Sequence, residues 1–133
     1  MGTRNLVAAA RAVCVTRMVA QSIAFVYAPG AGARIETDPL DAGAPGLRGR
    51  TVDAVQALVL RYAFLYGPGT WVADGPRRTP AVHVDAAAQA ALLALSKGKP
   101  GVYNVGEGDP GLSSEKAKRE LGFDASFRLD RSP

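Results

Sequence analysis

The stretch from Leu58 to Trp71, LVLRYAFLYGPGTW, constrains the fold more than any other part of the chain. It opens on apolar and β-favouring residues without period-2 alternation. That pattern suits a strand covered on both faces, as in a parallel sheet. Gly67, Pro68 and Gly69 stop it, because proline cannot donate to a ladder and glycine relaxes the backbone. Ligands of open parallel α/β sheets sit beyond the carboxyl ends of the strands. Tyr62, Tyr66 and the Gly-Pro-Gly turn are expected at that end.

The surrounding segments read as strands and helices that pack around this one. Residues 3–16 carry apolar side chains at helical spacing, with Thr3 as N-cap and Cys14 as a small buried helix residue. Residues 17–22 read as a short strand, whereas 23–27 has no diagnostic period. Residues 28–49 form a long loop rich in Gly, Pro and Asp. Within it Gly30 and Gly32 echo a phosphate-binding glycine loop, but no helix pattern follows, so loop turns are the better reading. Residues 51–57 read as a helix running straight into the strand at Leu58 with no turn residues between. Such connections take about 2–6 residues. A helix returning along a strand of roughly 20 Å needs about a dozen residues at about 1.5 Å each. This crossover is therefore unusual, or a segment has been lost near residue 58.

Residues 71–80 read as a second loop and 81–84 as a very short strand. Asp85 is expected to cap a largely buried helix over 86–96, with Ala88, Ala91, Leu92 and Leu95 on one face. Gln89 marks a wetter edge, and Lys97 and Gly98 end the helix. Residues 101–105 read as a strand. Ser113 or Ser114 then caps a helix over 115–121, which Gly122 terminates. Residues 124–133 read as a loose tail. The alternation argues for an α/β sheet in one domain over 1–133.

Composition supports a globular protein: 47% of the 133 residues are hydrophobic and 21% charged. No apolar run approaches the roughly 20 residues of a membrane helix. No clean secretion signal precedes it, so a cytoplasmic setting is expected. One cysteine and one histidine leave no basis for a disulfide or a zinc site. The net charge of +4 comes from scattered basic residues, with only Arg77–Arg78 and Lys118–Arg119 adjacent, so nucleic acid is not the expected partner.

Five segments in order carry a resemblance: residues 2–6 (GTRNL), 22–27 (SIAFVY), 60–62 with 66–68 (LRY, YGP), 82–85 (VHVD) and 102–106 (VYNVG). Together, over about residues 2–123, they resemble the carboxyl-terminal half or more of the NAD-dependent epimerase/dehydratase family, the extended short-chain dehydrogenases/reductases, in an atypical or truncated form. The resemblance implies a partial Rossmann-like parallel sheet with flanking helices, plus part of a small substrate domain. It implies NAD or NADP as cofactor in complete relatives and a small-molecule substrate such as a nucleotide sugar. In that family a tyrosine of a Tyr-x-x-x-Lys motif takes the hydroxyl proton while hydride leaves the carbinol carbon. The lysine lowers the tyrosine's pKa, and a Ser or Thr orients the substrate.

Several positions depart from that pattern. The register places Arg48 and Val52 where the Tyr and Lys belong, and Ile23 at the Ser/Thr position, one residue after Ser22. The glycine-rich cofactor fingerprint would lie upstream of residue 1. The resemblance makes Tyr62 and Ala63 cofactor-binding candidates and Tyr27, Tyr66 and His83 substrate-binding candidates. Ser22 is the catalytic candidate, against a structural hydrogen bond at the strand end. His83 has a loop-anchoring alternative. Tyr27, Tyr62 and Tyr66 are the substitutes available for the missing base. Two functions follow: an oxidoreductase-family chain inactive by itself, or a non-catalytic fragment that self-associates or recruits a partner through an exposed sheet edge.

Overall fold

A computed structural model describes residues 2–43, 56–108 and 110–131. Its centre is a three-stranded parallel sheet of β1 (Met18–Ile23), β2 (Ala57–Tyr62) and β5 (Gly101–Val105), in the order β1-β2-β5. Every residue of the middle strand is buried, which is why its sequence is apolar without alternation. The expected long strand is broken, however. At Ala63 the chain leaves the sheet, and β3 (Phe64–Tyr66) pairs in parallel with β4 (Ala81–His83). The Ala63 N–H still bonds the Val105 carbonyl at 3.0 Å, whereas the Phe64 N–H bonds the Pro80 carbonyl at 3.0 Å. The switch has a local cause: the N–H that would continue the ladder, on Glu107, bonds the Ala81 carbonyl of β4 at 2.9 Å, and the ladder stops.

Two helices pack on one face of the sheet. In α2 (Val84–Ala94) the buried residues are Asp85, Ala86, Ala87, Ala90 and Ala94. The four alanines share a core with Leu58, Leu60, Tyr62 and Val82. The expected face is therefore corrected: Leu92 and Leu95 are 68% and 61% exposed. Alanines let the helix axis approach the sheet closely, so the small stripe turns inward. Gln89 Oε1 accepts the Asp124 N–H at 3.1 Å, at the edge of the packed face. The second helix, α3 (Glu115–Leu121), buries Ala117 and Leu121 and ends at Gly122, as its sequence predicts. Ser114 is its N-cap, but its hydroxyl bonds Gly106 instead of the helix.

The first helix, α1 (Gly2–Ala12), is shorter than its apolar spacing predicts. Thr3 lies inside it, not at its cap. Cys14 is exposed in a left-handed turn with φ 54°, where Val15 N–H bonds back to the Ala10 carbonyl at 2.9 Å. Residues 24–26 form one 3₁₀ turn. The loop that follows is tied down through residue 43. Ala28 N–H bonds Pro39 O and Asp41 N–H bonds Val26 O, while Arg34 pairs with the segment around Leu112. The positions 44–55, including Arg48, Val52 and most of the expected helix at 51–57, lie outside the described residues. Ala57 itself begins β2.

The tail is not loose over 124–131. Ala125 and Phe127 pack against the core, and Arg128 and Arg131 make ion pairs with Glu107 and Asp85. No described helix is long and apolar enough to cross a membrane.

Candidate functional site

Parallel pairing brings Ser22, Arg61 and Asn104 into one row across the sheet, one residue short of the strand ends. All three are buried. Arg61 is the single charge in the apolar middle strand, and its burial demands partners. Its Nη1 donates to the Tyr27 hydroxyl at 2.9 Å, and its guanidinium lies 5.0 Å from that ring's centroid. The Tyr27 hydroxyl in turn donates to Asn104 Oδ1 at 2.6 Å. Asn104 Nδ2 donates to the Arg34 carbonyl, and its backbone N–H donates to Glu36 at 2.8 Å. Arg61 Nε finds no partner among the described residues. Ser22 and Tyr27, expected as catalytic and substrate-binding candidates, therefore sit around one buried polar network.

Tyr66 and His83 are brought together in a second cluster beyond β3 and β4, with ring centroids 5.1 Å apart, edge to face. The Tyr66 hydroxyl donates to Glu107 at 2.8 Å, and Arg128 bonds both groups. His83, not Asp85, is the N-cap of α2: its Nδ1 accepts the Asp85 N–H at 3.1 Å. The Asp85 carboxylate is thereby free to take Arg131 on both oxygens and the Leu129 N–H on one. A Cβ at Gly67 would lie 2.5 Å from His83 Nε2, so the Gly-Pro-Gly turn closes directly on the imidazole.

The Arg131 hydrogen bonds hold the Asp85 carboxyl down from 3.8 to about 2, with the Leu129 N–H adding to the effect. A depressed folded-state pKa contributes stability above the unfolded value and loses it as pH falls through the folded one. Wild-type protein is therefore expected to lose stability between about pH 4 and pH 2 through this group. Asp85→Asn, followed by thermal melts across that range, should flatten the dependence. An unchanged pH profile in the variant would refute the role of the Asp85–Arg131 pair.

Two tyrosines at the strand ends are held by the core. The Tyr62 hydroxyl donates to the Ala87 carbonyl at 3.2 Å, and burial pushes its pKa up to about 12. Burial also raises Tyr27, against the lowering effect of Arg61 and Asn104. Tyr66 is raised by burial and by Glu107, and Tyr103 rises to about 12 chiefly through burial. These are the chain's four tyrosines. A tyrosine base requires the opposite shift, and none of the four is shifted downward here.

Arg61, Asn104, Glu107, Arg128 and Arg131 escaped the sequence reading as site residues. The one available signal was Arg61, a charge inside a run too apolar to be exposed. The glycine echo at Gly30 and Gly32 forms no phosphate cradle: the space a Cβ would take at Gly30 holds the Arg34 guanidinium, and bends follow without a helix.

No family model matches the chain. Among curated proteins, a 3-diazoavenalumate denitrifying reductase from a Streptomyces species is 36% identical over 147 residues, covering 86% of this chain and 48% of that protein. The chain thus spans about half the length of that relative. Among solved structures, UDP-glucose 4-epimerase from Thermotoga maritima, determined with UDP-glucose, matches with a TM-score of 0.73 and 19% identity. That match covers 96% of this chain and 64% of the epimerase. A double mutant of dTDP-glucose 4,6-dehydratase from Streptomyces venezuelae, with NAD bound, matches with a TM-score of 0.74 and 18% identity. It covers 96% of this chain and 61% of the dehydratase. The chain therefore has the Rossmann-like fold of the NAD-dependent epimerases and dehydratases, the extended short-chain dehydrogenases/reductases that its ordered sequence segments resemble.

Proposed function

We propose that this chain is part of an NAD(P)-dependent oxidoreductase system and supplies the ligand-facing rim of its sheet, not the proton-abstracting group. The observation that carries this reading is the 36% identity to a reductase on a parallel sheet of this fold. The substrate is a small molecule, with nucleotide sugars such as UDP-glucose, present in solved neighbours, as the first class to test. Ala63, at the point where the chain passes between the two sheets, is the cofactor-facing position. Tyr62 contributes there through its backbone, since its hydroxyl is used inside the core. Ser22 and Tyr27 on one side and Tyr66 and His83 on the other flank the substrate.

The described residues offer no glycine-rich turn that opens directly into a helix, the form a pyrophosphate cradle takes. The chain by itself is therefore expected to bind NAD+ and NADP+ only at millimolar concentration and to give no turnover. The reductase match runs over 147 positions, more than the 133 residues present here, so that relative has residues within it that this chain lacks.

Two measurements test the proposal. Amide shifts in an NAD+ titration should move first at Ile23, Ala63 and Gly106; movement confined to other regions would sink the oxidoreductase reading. NADH formation from NAD+ and UDP-glucose, followed by absorbance, should stay at background; sustained formation would overturn the claim of inactivity.

A second reading has its own observation. Among the described residues β1 has one neighbouring strand, carries no charge from Met18 to Ile23, and exposes Gln21 and Ile23. Such a margin pairs with another chain. Size-exclusion chromatography across a hundredfold range of concentration, about 1 to 100 μM, covers the regime in which edge-exposing species associate. A constant monomer volume would exclude this reading.

A further inference from the structure

Beyond the carboxyl ends of β1 and β2 the chain presents two phenylalanine rings. Phe25 follows β1 by two residues, and Phe64 follows β2 by two. Their ring centroids lie 3.9 Å apart with planes tilted by 36°. The Arg78 guanidinium carbon stands 5.3 Å from the Phe64 centroid. Phe25 is 40% exposed and Ile23 beside it 41%; Phe64 is half-buried and Arg78 exposed. An apolar shelf with a cation at its margin thus opens to solvent where parallel sheets bind their ligands.

We propose that the Phe25–Phe64 pair with Arg78 is a binding site for a planar ring that carries an anionic group. The ring lies against the two phenylalanines, and the anion meets the guanidinium. This rests on the oxidoreductase reading above and deepens it by naming the substrate's recognition chemistry. The side chains of Ile23, Phe25 and Phe64 offer no hydrogen bond, so a bare sugar placed on them would lose water without compensation. A flat π-face gains both apolar contact and ring–ring geometry there. A guanidinium resting on an aromatic face keeps its in-plane N–H groups directed outward, in the fork that suits a carboxylate or phosphate. An aryl carboxylate and a nucleotide share this chemistry, and the test separates them.

The test uses the full chain and four probes: cinnamate, UMP, cyclohexanecarboxylate and inorganic phosphate, with binding read by calorimetry and amide shifts. At least one ring-bearing anion should bind with shifts at Phe25, Phe64 and Arg78. The ringless or non-planar probes should bind about tenfold more weakly. Phe64→Ser and Arg78→Ala should each weaken the ring ligand about tenfold, and Arg77→Ala should leave it unchanged. Phe25→Leu, which keeps apolar bulk and removes the ring, guards against loss of fold in Phe64→Ser, with circular dichroism melts as control. Preference for cinnamate identifies an aryl acid as the natural class, and preference for UMP a nucleotide; either supports the site. Equal binding of cyclohexanecarboxylate, shifts elsewhere, or no binding of either ring probe below about 10 mM, a free energy of roughly −2.7 kcal/mol, would overturn it. NAD+ titration is read separately. Retained ring binding without any NAD+ response removes the oxidoreductase reading alone, and the reverse result removes this site alone.

Discussion

Tyr27→Phe is expected to destabilise the protein by about 2–4 kcal/mol although it removes one oxygen atom. That hydroxyl accepts from Arg61 Nη1 and donates to Asn104 Oδ1, and both partners are buried. Without it a guanidinium that already has one partnerless nitrogen loses its described acceptor. Arg61→Met should cost less, because the charge and its desolvation leave together and the sheet face there is otherwise covered. Urea unfolding followed by far-ultraviolet circular dichroism measures both. Equal losses in the two variants, or a loss below about 0.5 kcal/mol in Tyr27→Phe, would show that the network is solvated instead of load-sharing.

The second large effect is at Gly98. A Cβ there would lie 2.5 Å from Leu121 Cδ2, 3.0 Å from the Tyr103 hydroxyl and 3.2 Å from Leu58 Cδ2, on a backbone with φ +77°. Leu121, Leu58 and Tyr103 are fully buried. The Tyr103 hydroxyl is also held by the Lys99 N–H at 2.9 Å and by Glu120 at 2.8 Å. Gly98→Ala should therefore cost about 2–4 kcal/mol, combining overpacking with left-handed strain. Gly108→Ala is the matched control. Its φ is +78° with nothing within 4 Å of the added carbon, so about 1 kcal/mol from conformation alone is expected. Similar melting losses in both variants would refute the packing contribution.

The alternation of strands and helices was legible because each element carries its own local signal. The apolar run at Leu58 needs no partner to announce burial on both faces, and the Gly122 stop is written at the end of α3. The buried stripe of α2 was not legible. That helix is apolar nearly all round, so spacing alone cannot choose between a leucine stripe and an alanine stripe; the close approach to the sheet chooses. The break at Ala63 depends on where a neighbouring strand ends, which is non-local information. The same limit explains the site. Ser22, Tyr27, Tyr66 and His83 could be named from ordered segments, but Arg61–Tyr27–Asn104 and Asp85–Arg131 exist only through parallel pairing and the return of the tail. Asp85 looked like a cap because aspartate favours that position; His83, two residues earlier, takes the bond instead.

Arg17 stands just before β1, yet its Nε donates to the Ala94 carbonyl at 2.7 Å, 77 residues later, and its Nη2 reaches the Lys97 and Gly98 carbonyls. These are carbonyls at and beyond the end of α2, where a cation is favoured. During synthesis, the start of the first strand must therefore wait for its mooring until that helix has cleared the ribosome. The third strand of the sheet emerges later still. Nascent β1 is therefore without this anchor until the residues around 94–98 have been made.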